Sequence, residues 1–187
     1  LFNEGEIVLN SAANAGFSGK AIRNKPNGQL RIDSADTYGI TTPFLENDGE
    51  VFISNSGIDG LNTSSLLNHG AIEIEQSVEN GIRINAGTGI LNDLSAELLV
   101  SHSGEDGIYL RKSLTNMGEI QILNSSNIGL NLYDLSSPDS VFNSGKLKIN
   151  NAGNRGISRF GNSPRIIKNA HGGLIQIDSV LGSSITR

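Results

Sequence analysis

Eight times along this chain a small residue opens a short apolar/polar alternation, and eleven residues later a second mark is followed by an apolar residue. The opening residues, called anchors below, are Gly5, Gly28, Gly49, Gly70, Ala96, Gly118, Gly145 and Gly173. The second marks are Gly16, Gly39, Gly60, Gly81, Gly107, Gly129, Gly156 and Ser184, followed by Phe17, Ile40, Leu61, Ile82, Ile108, Leu130, Ile157 and Ile185. An Asn stands two or four positions before every anchor: Asn3, Asn24, Asn47, Asn68, Asn92, Asn116, Asn143 and Asn169. Two residues before each Asn comes Leu, Ile or Val, and the anchors recur on average every 24 residues. A frame kept while nearly everything between its marks changes is a structural repeat, and it must be settled before any local motif is believed.

The frame converts directly to geometry. Gly118–Ile122 (GEIQI) and Gly70–Ile74 (GAIEI) alternate with period two, which is a strand with one buried face. Ile120 and Ile122 point one way, Glu119 and Gln121 the other. The second mark opens another short strand, and the apolar residue before each Asn marks a third. Three short strands per 24 residues, separated by Gly, Asn and Ser, make one coil of a parallel β-solenoid. No segment keeps an i, i+3, i+4, i+7 stripe long enough for a helix. The Asn column suits the turns, because Asn tolerates left-handed backbone and its amides can bond one another when stacked.

Through N-x-G-x-[ILV]-x-[ILV] and G-[ILF], the chain resembles the right-handed parallel β-helix proteins of the pectin-lyase-like superfamily. That superfamily includes polysaccharide lyases, phage tailspikes and bacterial surface passengers. The resemblance implies an all-β, right-handed parallel β-helix of about eight coils with three parallel sheets, and it covers residues 1–187 as a single domain. Leu1 is not an initiator, and Leu1 and Ile185 occupy ordinary core marks, so the domain is expected to belong to a longer repeat protein.

Composition narrows the chemistry. There is no Cys, which excludes disulfides, thiolate metal sites and Cys nucleophiles. No apolar run reaches the roughly 18 residues of a membrane-spanning helix, so no membrane insertion is expected within this segment. Residues 1–140 hold 7 Lys/Arg against 18 Asp/Glu, a net −11, whereas residues 141–187 hold 7 against 1, a net +6. The acidic body disfavours nucleic acid.

The richest local cluster is SHSGEDGIYLRK, with His102, Glu105, Asp106, Arg111 and Lys112. Glu105 and Asp106 replace turn residues that are polar in every coil, so a solvated turn is the expected reading. Within the superfamily, pectate lyases need a carboxylate cluster for calcium and polygalacturonases need aspartates on adjacent coils plus a His; neither column is present. Glu46, Asp48 and Glu50, with Asp33 and Asp36 a coil earlier, could gather oxygens for calcium. The calcium-binding nonapeptide repeat is absent, however, and no catalytic residue, metal site or cofactor is expected.

Loop length points elsewhere. From each second mark to the next Asn the distances are 8, 8, 8, 11, 9, 14 and 13 residues, so protrusions grow toward the C-terminus. Binding residues concentrate in loops on rigid scaffolds. The two longest connections carry the candidate ligand-binding residues Tyr133, Asp134, Asp139, Arg159, Phe160 and Arg165, and Arg155, just before the second of them, adds to the positive charge of this end. The sequence therefore predicts a non-catalytic structural or adhesive module of a secreted or cell-surface protein, binding an anionic glycan or another surface protein at its basic end. The alternative is a polysaccharide lyase or glycoside hydrolase of the parallel β-helix type, which would need paired carboxylates on adjacent coils.

Overall fold

A computed structural model describes residues 1–133, 140–160 and 167–186. The chain is all-β, with no helix among the described residues, and forms a parallel β-solenoid of about seven turns. Coils are numbered here by their anchors, from coil 1 at Gly5 to coil 8 at Gly173. The alternations after the anchors form one eight-stranded sheet, sheet one, with strands running from Glu6–Leu9 in coil 1 to Leu174–Asp178 in coil 8. Every neighbouring pair is parallel and in frame; Leu98 of the strand Glu97–Ser103 lies between Ile72 and Ile120, and Val100 between Ile74 and Ile122.

The expected second and third sheets are one. In coils 2 to 4 the chain stays extended from the second mark to the Asn, as Ile40–Asn47, Leu61–Asn68 and Ile82–Asn92. These continuous strands join the two faces into a single 13-stranded sheet, sheet two. In coil 1 the same path is split into Phe17–Ser18 and Ile22–Asn24, and in coil 5 into Ile108–Leu110 and Leu114–Asn116. The bend inside the long strands keeps its polar groups satisfied: the buried Thr42 hydroxyl donates to the Phe44 carbonyl at 3.1 Å and the Thr63 hydroxyl to that of Ser65 at 3.1 Å.

The core is a file of aliphatic side chains between the sheets. Ile74, Ile82, Leu98, Ile108, Ile122, Leu130 and Ile149, all expected inside, are at most 1% exposed. The second glycine is demanded by closeness rather than by backbone shape. A Cβ on Gly107 would run into Ile122 Cγ2 and come within 2.8 Å of Ser125 Oγ, and Gly39, Gly60 and Gly81 meet the equivalent Ile or Val and Ser of the coil that follows each. Serine hydroxyls of the next coil lie over the space a methyl group would fill.

Two columns of polar residues fix the corners. Six of the Asn amides are fully buried and all eight are linked, each Nδ2 donating to the Oδ1 of the next coil at 2.7–2.9 Å from Asn3 to Asn169. The same amide nitrogen also reaches strand carbonyls; that of Asn92 lies 3.2 Å from Ala96 O and 3.1 Å from Glu119 O. At the other end of sheet one, Asn55, Gln76, His102, Asn124, Asn151 and Ser179 all have φ between 53° and 57°. This left-handed residue turns the chain out of sheet one, and Asn, which accepts that conformation more readily than most, fills it three times.

Candidate binding ridge

Once the chain leaves the second glycine, positions two and four residues on face outward from sheet two. In coils 4 to 7 they include Arg83, Tyr109, Arg111, Asn131, Tyr133, Ser158 and Phe160. Stacking coils in register brings their side chains into one ridge along the rod. The Tyr109 and Tyr133 rings are 5.6 Å apart, and the Tyr133 and Phe160 rings 5.9 Å. Guanidinium groups lie over them: Arg83 is 5.2 Å from the Tyr109 centroid, Arg111 5.8 Å from Tyr133 and Arg155 5.6 Å from Phe160. A cation over a ring face is attracted by the ring quadrupole. The rings pack on one another and on arginines, so they form a ladder rather than separate open platforms.

The arginines differ in their charge partners. Arg83 donates from Nε to Asp59 Oδ2 at 2.8 Å and from a terminal nitrogen to Glu79 Oε2 at 2.8 Å. Burial pulls its pKa down, but the Asp59 bond and the charges of Asp59 and Glu79 outweigh this and raise it. Arg111 has no carboxylate partner among the described residues, nor has Arg155, whose side chain reaches Ser158 Oγ at 3.4 Å. Tyr133 and Phe160 are 36% and 39% exposed. The ridge therefore ends, toward the C-terminus, in two positive charges without carboxylate partners among the described residues, beside partly exposed aromatic rings.

Beneath it lie two buried carboxyl groups. Asp59, 0% exposed, accepts at Oδ1 from the Asn80 backbone N–H (3.1 Å) and Nδ2 (2.8 Å), and at Oδ2 from Arg83. Asp106, 4% exposed, is its counterpart two coils on. Its Oδ1 accepts from the Ile128 backbone N–H (3.1 Å) and Asn127 Nδ2 (2.9 Å), and its Oδ2 from Asn131 Nδ2 at 2.6 Å. Arg83 and Asn131 hold equivalent positions, two residues after Gly81 and Gly129. Asp106 thus has the hydrogen-bond cradle of Asp59 without its cation. Burial pushes its pKa up, against the opposing bonds from Asn131, Ile128 and Asn127 and the more distant charge of Arg83. Tyr109 is also raised, chiefly by burial.

Of the residues expected to bind, Tyr133, Arg155 and Phe160 come together on the ridge. Arg159 does not join them: it pairs in register with Leu132, a buried position, and strand alternation sets it on the opposite face from Phe160. Asp134, Asp139 and Arg165 lie outside the described residues. The solvated-turn reading holds for Glu105, which is exposed, and fails for Asp106. Tyr109, Asp59 and the pairing of Arg111 with Tyr133 escaped the sequence reading. The signal was present in the frame: Asp59 and Asp106 each directly precede a second glycine, and Arg83 and Asn131 stand at the matching place one coil later.

Three of the five carboxylates considered for calcium are held in ion pairs. Glu46 pairs with Arg23 (3.1 Å) and Lys25 (3.7 Å), Asp48 with Lys25 (3.3 Å) and Asp33 with Arg31 (2.7 Å). No family model, curated protein or solved structure matches the chain at a significant level.

Proposed function

We propose that this solenoid is a non-catalytic structural or adhesive module of a secreted or cell-surface protein, and that its sheet-two ridge is the contact face for an anionic glycan. The observation that carries the reading is the pair Arg111 and Arg155, without carboxylate partners among the described residues and held over Tyr133 and Phe160. Guanidinium groups bind carboxylates and sulfates through paired N–H donors, and aromatic edges and faces accept the apolar side of a sugar ring. The rigid ladder beneath keeps these groups in place before a ligand arrives, which lowers the entropy cost of binding. Asp59 and Asp106 have both oxygens occupied as acceptors and lie under the surface, which favours a structural over a catalytic part for them.

The test is titration of the protein with alginate, a polyuronate, and with neutral dextran. Alginate should bind, more weakly as salt rises, and dextran should not. Arg111→Ala/Arg155→Ala should weaken alginate binding at least tenfold while Arg159→Ala leaves it unchanged. Undiminished binding in the double variant removes the ridge as the site. Appearance of new reducing or unsaturated ends in the polymer would replace the adhesive reading with the lyase or hydrolase one.

A further inference from the structure

The step from the Asn column to the anchor is two residues in coils 1, 3, 4, 6 and 7 and four residues in coils 2, 5 and 8. The longer connection thus recurs every third coil. In each of the three it closes as a hydrogen-bonded β-turn: Gly28 N to Lys25 O at 2.7 Å, Ala96 N to Asp93 O at 3.0 Å and Gly173 N to Ala170 O at 3.0 Å. Their tips, Pro26, Leu94 and His171, are exposed. One corner of the rod therefore carries three teeth spaced by three coils, about 14 Å at ~4.8 Å per coil, with two short-turn coils between each pair.

The two gaps differ. The first, across coils 3 and 4, is lined by polar contacts from its two teeth: Lys25 reaches Asp48 at 3.3 Å, and Asp93 Oδ2 lies 2.9 Å from His69 Nδ1. The second, across coils 6 and 7, is an open trough of about 400 Å³, with Leu94 and Gly172 on its walls, Met117 and Ser144 on its floor and Glu97 and Lys146 at its side. Leu94 itself is 79% exposed at the tip of its tooth.

We propose that this corner is a self-association surface, on which a second copy of the chain packs antiparallel with the Leu94 tooth of each in the Met117 trough of the other. Three observations select a second copy. First, a tooth one coil wide and a gap two coils wide are complementary, and the molecule carries both on the same corner. A two-fold axis then makes the contact reciprocal, the form taken by most dimers. Second, Leu94, which is 79% exposed, and the half-buried Met117 supply matching apolar surface. Third, the charge is polarised along the chain, net −11 over residues 1–140 and +6 over 141–187, which repels a parallel pair and attracts an antiparallel one. When the coil 5 tooth sits between coils 6 and 7 of its partner, coil 7 falls opposite coils 4 and 5. Lys146 of each protomer is then brought to the neighbourhood of the other's Glu97, and the His171 tooth to the gap beside Asp48.

This face lies at the corner between the Asn column and sheet one, away from the Tyr133–Phe160 ridge, so its failure and that of the glycan reading are separable. Sedimentation velocity over a concentration series tests it. The wild type should show a reversible monomer–dimer equilibrium that weakens with salt. Leu94→Arg, and separately deletion of Leu94 and Ser95 to give the two-residue turn of the neighbouring coils, should each raise the dissociation constant at least tenfold. Arg111→Ala/Arg155→Ala should leave it unchanged. The chain has no Cys, so a spin label on Gln176→Cys reports orientation: antiparallel packing separates the two labels by ~20 Å or more along the rod, whereas a parallel pair brings them level. A monomer at every concentration overturns the proposal, as does a dimer indifferent to both Leu94 changes or one with level labels.

Discussion

Asp59 and Asp106 occupy the same cradle two coils apart, yet their substitution by Asn should have opposite consequences. In Asp59→Asn the shape is kept and the charge is lost. The new amide must aim its NH2 either at Arg83 Nε–H or at the two Asn80 donors, so one donor faces another. Arg83, whose side chain is 25% exposed, is left with Glu79 alone. Breaking a buried pair by removing one partner costs about 3–5 kcal/mol, and the partial exposure of Arg83 places this case near the low end, at about 2–3 kcal/mol. In Asp106→Asn no cation is abandoned. Asp106 accepts from neutral donors only, and Asn131 Oδ1 has no partner among the described residues. Asn at 106 can keep its carbonyl on Ile128 and Asn127 and donate its NH2 to a turned Asn131 amide, and no buried charge remains, so the change should be neutral or stabilising by up to about 1 kcal/mol. The pH dependence follows the sign of the shift. Burial raises the folded-state pKa of Asp106 above its unfolded value. Between those two values the native state holds more protons than the unfolded one, and stability falls as pH rises through that window. Asp106→Asn should flatten that slope. Urea unfolding followed by far-UV circular dichroism, with midpoints compared at several pH values, reads all of this. Equal losses in the two variants, or an unchanged pH slope in Asp106→Asn, would refute the reasoning.

Asn92→Ala removes a buried amide bonded to Asn68, Asn116 and two strand carbonyls. At about 1–3 kcal/mol per group left unsatisfied it should cost on the order of 3–6 kcal/mol, whereas Asn169→Ala, at the exposed end of the ladder, should cost far less, as chemical denaturation of both will show. Ile122→Asp puts an unpaired charge in the fully buried core and should prevent folding or cost several kcal/mol. Glu119→Ala, three residues away on the outer face, loses bonds to Lys148 (2.7 Å) and Lys146 (3.3 Å), which hold the Glu119 carboxyl below its usual range. Its cost should stay under about 1 kcal/mol and shrink further in salt.

The fold was legible because its marks answer to contacts between equivalent residues of successive coils, and such contacts repeat wherever the sequence repeats. Gly107 must be Gly because Ile122 and Ser125 stand over it, and the same steric fact recurs at Gly60 and Gly81. Asn92 must be Asn because it bonds Asn68 behind and Asn116 ahead. The number of sheets was not legible. Whether a strand runs through the bend, as in Leu61–Asn68, or breaks, as at Arg111–Ser113, depends on local hydrogen bonds such as that of Thr63, which no column announces.

The ridge was half legible for a related reason. Loop length drew attention to Tyr133 and Phe160, and the positive charge of the C-terminal end to Arg155, but Tyr109 and Arg111, which pack against Tyr133, sit on the coil before, inside a short connection that looked unremarkable. Tyr109 meets Tyr133 although one stands two residues after its glycine and the other four, a diagonal contact that in-frame comparison passes over. Asp106 was hidden by a different rule, the expectation that charged turn residues are solvated. Burial there depends on what the next coil lays on top, and Asn127, Ile128 and Asn131 close over the carboxyl. In a solenoid the identity of a residue is thus interpretable only with the residues about one period ahead and behind it. Where those are in frame the sequence can be read directly, and where they are diagonal the structure is needed.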